Sequence, residues 1–363
     1  MRMLYGLEFV FMVRELEDCT GLFVENFYEL GKNRFRIKLS KSGIQANLLC
    51  FIPYSISKVS EVERVETPTN FAIAARKRLK GFKIEKIEQL NNDRIVRMHL
   101  TKGDEKAYII VELFGKGNLI LANGSGTITL AYMQHEFKDR SIRIGSAYAP
   151  PKSNLVNIEN MEDVKKAIMD AQEGNASVYE CVQKAIQIGK PYAKKILKEI
   201  GIEEGAKCDA LNGQMVGRFA EALARYLSGE MGFYIYRKNG SMVDFSIGRL
   251  DYNDLEAERV GSLGEALSLA YLSQGENAGR SSVQIEIEKS IEKQKAIIEE
   301  AEKGMAESRR IADFIFENMH EINSIIEKAR SEKHITKDEL QKLAKSIKIK
   351  DVDLKNKTIT IEI

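Results

Sequence analysis

The sequence predicts an α+β protein with a β-rich first part, a helical second part and a long helical arm, and three observations carry that reading. Between residues 22 and 133, short stretches alternate apolar and polar residues with a period of two, the pattern of strands with one face on a core. After Pro150-Pro151 the period lengthens to that of helices, because neither proline donates to a strand ladder and each disfavours helix before it. From Ser281, positions 287, 291, 294, 298, 301, 305, 308, 312, 315, 319, 322, 326 and 329 alternate spacings of four and three. All but Gln294 and Ser308 are apolar, which makes a coiled-coil heptad over six repeats.

Each element has its own local signal. Residues 6–17 place Leu7, Val10, Phe11 and Leu16 on one stripe, an amphipathic first helix that ends before Thr20-Gly21. Residues 22–30, 34–39 and 44–52 read as strands, the last two joined by the hairpin signal Ser40-Lys41-Ser42-Gly43. Residues 55–67 read as a polar connection to Pro68. Residues 71–79 form a short helix whose Arg76-Lys77-Arg78 fan around it. Strand 83–90 turns through Asn91-Asn92-Asp93 into strands 95–100, 108–113 and 127–133, the middle one closed by Gly115-Lys116-Gly117-Asn118. The charges of this sheet fall at its turns, which presents Asp93, Arg94, Lys116 and Arg140 from its rim.

Beyond the proline pair, 161–172 and 176–187 read as helices. The run Ile186-Gln187-Ile188-Gly189-Lys190-Pro191 onward resembles a helix-hairpin-helix element, in which a glycine turn lets a helix N-terminus meet a backbone phosphate, flanked here by Lys190, Lys194 and Lys195. Gln187 stands where the first glycine of that element usually is, and an ordinary helical turn is the alternative. A helix at 212–227 precedes a hairpin across Arg237-Lys238-Asn239-Gly240, which either rejoins the first sheet or forms a satellite. Thr336-Lys337-Asp338-Glu339 is a capping box for a short helix to 347, followed by a terminal hairpin. The expected division is 1–152, β-rich; 153–230, helical; 231–280, hairpin and connecting helix; 281–334, coiled-coil arm; 335–363, a further small segment. At ~1.5 Å per residue the arm would extend on the order of 70 Å, and no segment is long enough to return along it. The chain is therefore expected to be the N-terminal part of a longer protein, and its apolar seam to drive self-association.

Composition narrows the function classes. A chain of 363 residues with 44% hydrophobic content has room for two or three domains. No apolar run approaches the roughly 18 residues of a membrane span, and Met1-Arg2-Met3-Leu4-Tyr5-Gly6 lacks the features of a secretory signal. A cytoplasmic protein without membrane contact is expected. Cys19, Cys50, Cys181 and Cys208 and the four histidines match no zinc spacing and suggest no disulfide framework, so the cysteines read as packed apolar residues and no metal or cofactor is implied. The net charge of +2 conceals segregation: residues 72–106 carry ten basic against five acidic residues, and 184–198 carry five lysines and no acid. That pattern suits polyanion contact or ordinary solvated faces. No catalytic triad or carboxylate pair of recognisable spacing is present, which favours a binding scaffold over an enzyme.

Thr67-Pro68-Thr69-Asn70-Phe71, Arg76-Lys77-Arg78-Leu79, Asp93-Arg94-Ile95-Val96, Glu112-Leu113-Phe114-Gly115, Gly117-Asn118-Leu119-Ile120-Leu121, and Gly145 with Tyr148 and Pro150 resemble, as an ordered set, the NFACT family. These are ribosome-associated quality-control proteins of the NEMF and RqcH type, also called fibronectin-binding A proteins. The resemblance implies a first domain similar to the β-sandwich of formamidopyrimidine-DNA glycosylase, a helix-hairpin-helix domain, a coiled-coil arm and a middle segment. It implies binding of a large ribosomal subunit obstructed by peptidyl-tRNA, through its rRNA, and recruitment of aminoacyl-tRNA, typically alanyl, for template-free C-terminal tailing. It further implies that Asp93 and Arg94, with Glu8 where many members carry Asp and with Arg97 nearby, engage tRNA. Nucleic-acid backbone then falls to Arg76, Lys77, Arg78, Lys80, Lys116, Arg140, Lys190, Lys194 and Lys195. Local sequence alone reads Asp93 as a turn residue accepting backbone N–H groups and Arg94 as a solvated strand start. Two other classes stand beside this reading. A surface adhesin is suggested by the older name and opposed by the missing signal and the basic segregation. Glycosylase chemistry needs an N-terminal Pro-Glu pair, which Met1-Arg2-Met3 does not supply, and zinc-finger cysteines, which are absent.

Overall fold

The computed structural model describes residues 2–60, 67–172, 176–203, 205–278, 282–331, 335–353, 356 and 358–362. The chain forms two compact units, Met1–Asn277 and Ala278–Ile363. In the first, helix α1 (Gly6–Leu16) precedes strands β1 (Phe23–Gly31), β2 (Arg34–Lys41), β3 (Ile44–Phe51) and β4 (Ser55–Val59), helix α2 (Asn70–Leu79), and strands β5 (Lys83–Gln89), β6 (Ile95–Lys102), β7 (Glu105–Glu112), β8 (Asn118–Asn123) and β9 (Ile128–Ala131). These nine strands make one antiparallel sheet in the order β4-β3-β2-β1-β5-β6-β7-β8-β9.

Its two halves are joined where β1 meets β5, by the pairing of Phe23 with Lys83 and by backbone hydrogen bonds from Gly21 N–H to Ile84, Ile84 N–H to Leu22, Val24 N–H to Phe82 and Gly81 N–H to Val24, and the far end returns to the first half. The Tyr132 hydroxyl accepts the Asn33 N–H at 3.3 Å, and its ring packs 4.8 Å from Phe35 and 5.4 Å from Phe71. Helix α1 packs against β4 and β5. It is not the amphipathic surface helix that its stripe suggests: Leu7 through Val13 are all buried, because every residue of the run but Glu8 is apolar and the helix is covered both by the sheet and by later segments, through Gln187 at Gly6 and the Phe233 ring 5.5 Å from Phe11. Strand β4 replaces the first part of the expected polar connection. Its Ser55 and Ser57 are buried beside Ile56, paired to β3, and two small hydroxyl side chains hide the period of a strand.

After the short ribbon of β10 (His135–Glu136) and β11 (Ser141–Ile142) come α3 (Met161–Asp170), α4 (Val178–Ala185), α5 (Lys190–Glu199) and α6 (Gly213–Leu227). Strands β12 (Phe233–Lys238), β13 (Ser241–Ile247) and β14 (Glu256–Val260) form a separate three-stranded sheet, β13-β12-β14, so the hairpin is a satellite and does not rejoin the first sheet. Helix α7 (Leu263–Ala278) is capped from α1, the Glu15 carboxylate accepting the Leu263 and Gly264 N–H groups at 2.8 and 2.7 Å. Helical and β parts share one core, in which Phe9, Phe35, Tyr192, Phe219 and Phe245 are all wholly or almost wholly buried.

One expectation about the cysteines changes here. Cys181 and Cys208 are joined in a disulfide, Cα–Cα 6.3 Å, across a separation of 27 residues. Backbone bonds from Val178 N–H to Ala206 and from Cys208 N–H to Ala176 bring the two segments together, a pairing invisible to sequence spacing. Cys19 and Cys50 are buried thiols as expected, their pKa pushed up by burial to about 11 and about 12.

In the second unit the arm is two helices, α8 (Ser282–Glu317) and α9 (Met319–Ser331), not one. The interruption is at Asn318, whose side-chain amide and backbone N–H both donate to the Phe314 carbonyl, a local competition that favours a break. Helix α10 (Lys337–Gln341), opened by the expected Thr336 capping box, and the hairpin β15 (Lys348–Asp353) with β16 (Thr358–Glu362) form a small core with Ile325, into which the seam residues Ile322 and Ala329 pack. Of the remaining seam residues, Ile298, Met305, Ile315, Met319 and Ile326 are exposed; the side chains of Ile287 and Ile291 lie outside the described residues.

Candidate nucleic-acid interface

The turn between β5 and β6 is built by two residues that accept a left-handed backbone. Asn91 and Asn92 have φ of 54° and 55°, a conformation asparagine tolerates better than most side chains. Asp93 N–H donates to the Leu90 carbonyl at 3.1 Å, the Gln89 amide to the Asp93 carbonyl at 2.9 Å, and the Asn92 amide to the Leu155 carbonyl at 3.0 Å. The turn is thus pinned on both sides. One Asp93 carboxylate oxygen accepts the Arg94 N–H at 2.7 Å, the local role that the turn pattern suggests. Among the described residues the Arg94 guanidinium pairs with no carboxylate; its Nη1 lies 3.7 Å from the Met3 sulfur.

Asp93 and Arg94 open onto a cleft of about 350 Å³. The cleft is lined as well by the start of α1, with Leu4, Tyr5 and Gly6, by the turn before α5, with Gln187, Gly189 and Lys190, and by residues 155–158. Two glycines permit this closeness. Gly6 N–H donates to the Gln187 carbonyl at 3.1 Å, and a Cβ on Gly6 would fall 2.2 Å from that oxygen. Gly189, at φ +105°, has the Tyr5 ring where its Cβ would be, 2.4 Å away. Gly189 is the N-cap of α5 and offers no capping side chain, so the helix N-terminus meets the cleft with its dipole uncompensated and Lys190 beside it. Gln183 also lines the cleft, and its buried amide nitrogen has no hydrogen-bond partner among the described residues. Sequence reasoning missed Gln183 and residues 155–158, which carry no local signal.

The other expected site residues divide into surface and interior. Lys77, Arg78 and Lys80 are exposed along α2. Arg76 is half-buried, its Nε donating to the Phe27 carbonyl at 2.7 Å and its guanidinium 4.9 Å from the Tyr28 ring. Lys116 is exposed on the β7–β8 turn, next to the Asp93 turn because Leu113 N–H donates to the Arg94 carbonyl at 2.8 Å. Lys190 and Lys194 both lie over the Tyr179 ring, while Lys195 pairs with Asp251 at 3.0 Å. Arg97 donates to Glu88, which also receives His99 and Lys86.

Two expectations are overturned by burial. Arg140 is not on the rim: its side chain is 4% exposed and pairs at 2.5 Å with Glu112, itself 4% exposed, while the Tyr148 hydroxyl donates to the same carboxylate at 3.0 Å. Burial and the neighbouring Glu112 push the Tyr148 pKa well up, so its proton stays on. Glu8 is wholly buried and bonded to Arg2, Tyr5 and Tyr192, so its carboxylate cannot contact RNA directly. Neither burial is visible in the sequence, since Glu112 lies 28 residues before Arg140 and Tyr192 lies 184 residues after Glu8.

Comparisons with known proteins agree with this architecture. The chain is 32% identical over 148 residues to the archaeal Rqc2 homolog aRqcH of Methanocaldococcus jannaschii, a match covering 40% of this chain and 22% of that protein. It is 25% identical over 211 residues to the ribosome quality control complex subunit 2 of Saccharomyces cerevisiae, covering 56% of this chain and 20% of the relative. The chain therefore matches about a fifth of the length of these curated relatives. Among solved structures, the N-terminal part of the fibronectin/fibrinogen-binding protein from Streptococcus suis superposes with a TM-score of 0.59 at 19% identity, covering 74% of this chain and 98% of that one; the likeness is one of fold. The family model described as NFACT N-terminal and middle domains matches residues 6–363, and the chain belongs to the NFACT family.

Proposed function

We propose that this chain is the tRNA-engaging portion of a cytoplasmic ribosome-associated quality-control factor. In this reading it joins a large ribosomal subunit obstructed by peptidyl-tRNA, touching rRNA, and recruits aminoacyl-tRNA, alanyl by family resemblance, for template-free tailing. The relatives named as ribosome quality control proteins support the setting. The observation that carries the site is the Arg94 guanidinium, free of any carboxylate partner among the described residues, lining one cleft together with an uncapped helix N-terminus and Lys190.

The chemistry follows from the groups present. A guanidinium binds phosphate through two parallel hydrogen bonds or stacks on a base, Asp93 has a second carboxylate oxygen for a base amino group, and the α5 N-terminus takes a phosphate. Unstacked bases of single-stranded loops suit a cleft of this size. The exposed Lys77, Arg78 and Lys80 supply sequence-independent phosphate attraction outside it. On the arm, the exposed Ile298, Met305, Ile315 and Met319 leave an apolar stripe for a second helix, which a second copy covers in solution; a monomer at all concentrations in sedimentation would count against that pairing.

The deciding experiment substitutes Asp93→Ala with Arg94→Ala in the protein as expressed in its cell. Co-purified tRNA per large subunit is measured beside a thermal melt. Loss of tRNA with subunit binding and melt intact supports the reading; unchanged tRNA recovery, or an unfolded variant, makes the pair structural.

A further inference from the structure

Glu8 cannot touch RNA, yet every hydrogen-bonding position of its carboxylate is engaged. One oxygen accepts Arg2 Nη2 at 2.7 Å and the Tyr192 hydroxyl at 2.6 Å; the other accepts Arg2 Nη1 at 2.7 Å and the Tyr5 N–H at 2.9 Å. The Tyr192 hydroxyl in turn accepts the Ile247 N–H at 3.0 Å. Arg2 continues the network, donating to Asp244 at 2.7 Å and to the Phe245 carbonyl at 2.7 Å while its guanidinium lies 4.4 Å from the Tyr5 ring and 4.3 Å from the Phe245 ring. Three separate pieces of chain are fastened at one carboxylate: the start of α1, the first turn of α5 and strand β13.

None of Arg2, Glu8, Tyr192 or Asp244 lines the cleft, but their immediate neighbours do. Tyr5 and Gly6 lie on one side of the clasp, and Gly189 and Lys190 precede Tyr192 on the other. A buried ion pair is seldom more stabilising than well-packed apolar side chains of the same volume. What it supplies instead is direction, since bonds of fixed length and angle hold the two helix starts in one register. We infer that Arg2, Glu8 and Tyr192 are positioning residues for RNA binding, which set the relative placement of the two segments, Tyr5 with Gly6 and Gly189 with Lys190, that line the cleft together with Arg94. This rests on the tRNA reading above.

The test measures binding of unfractionated tRNA to the purified 363-residue chain by fluorescence anisotropy, with a 20-base-pair RNA duplex as a probe of general phosphate attraction. Tyr192→Phe keeps the buried ring and deletes only the hydroxyl; Arg2→Lys keeps the charge and loses the two-pronged donor. Both are expected to weaken tRNA binding about tenfold, leave duplex binding unchanged, and add no further loss in an Arg94→Ala background, as coupled residues do. Wild-type tRNA affinity in both variants overturns the proposal, as does a loss that is fully additive with Arg94→Ala or that affects duplex and tRNA alike. If Tyr192→Phe does not fold, Arg2→Lys alone decides by the same criteria. A wild-type chain with no tRNA affinity overturns the functional reading itself, and the positioning role with it; wild-type binding with unaffected variants overturns only the positioning role.

Discussion

Arg140 and Glu112, the last residue of β7, meet at 2.5 Å in the interior, with the Arg140 guanidinium also 4.7 Å from the Phe137 ring and 5.7 Å from the Phe114 ring. Removing one member of such a pair leaves a charge in an apolar setting. Arg140→Ala is expected to cost roughly 3 to 5 kcal/mol in urea unfolding. Tyr148 and the 141–149 segment should loosen first, read as faster amide exchange. A loss below about 1 kcal/mol would mean that water reaches Glu112 and the pair behaves as a surface contact.

Glu88 makes the stability of the sheet depend on acid pH. Burial works against its ionisation, but hydrogen bonds from Lys86, His99 and Arg97 outweigh that and hold the carboxyl at about 2, below the ordinary value of 4.5. A depressed carboxylate pKa contributes stability above the unfolded value, and that contribution fades as pH falls from about 4.5 to about 2. Partial exposure of the cluster reduces the linkage energy to about 1 to 2 kcal/mol. Glu88→Gln should therefore lower stability at pH 7 by that amount and flatten the slope between pH 5 and pH 2. Parallel curves for the two proteins across that window would remove Glu88 as the cause.

Gly189→Ala tests the close approach of α1 and the turn before α5. The added methyl meets the Tyr5 ring at 2.4 Å, and φ +105° strains any side chain there. A stability loss of about 2 to 3 kcal/mol is expected from the clash alone. Gly201→Ala is the control: its φ is also positive, at +82°, but nothing lies within 4 Å, so only the backbone strain is paid. Equal melts for the two variants would show that strain, not contact, governs both sites.

The exposed basic face of α2 should act through salt. Replacing Lys77, Arg78 and Lys80 together with alanine is expected to leave the fold intact, since none of the three is buried. It should weaken RNA binding more at low salt than at high, and reduce the slope of log affinity against log salt by about 2 for single-stranded contacts. An unchanged slope would place the phosphate contacts elsewhere.

Much of the fold was legible because its causes are local. The Asn91-Asn92 turn, the Thr336 capping box, the change from strands before the proline pair to helices after it and the positions of most strands depend on backbone preferences and hydrogen bonds within a few residues. The Asp93-Arg94 pair was legible for the same reason: a hairpin turn exposes its charged residues unless something distant covers them. The rest of the cleft lining, from Tyr5 to Gly6 and from Gln187 to Lys190, was not, since those residues reach the cleft only through the packing of α1 against the helical part.

The sequence by itself determined where charges occur and which segments are helix or strand; the tertiary structure decided which of those charges face water. Arg94 and Arg140 both sit at sheet turns in the sequence, and only one has a carboxylate waiting across the fold, 28 residues away. Glu8 belongs to the most apolar helix of the first unit, and its partner Tyr192 lies 184 residues further on. Cys181 with Cys208, and Glu88 with Arg97, follow the same division. Turn and helix signals act over one or two turns of chain, whereas burial and ion pairing depend on which surfaces the completed core brings within about 3 Å of each other.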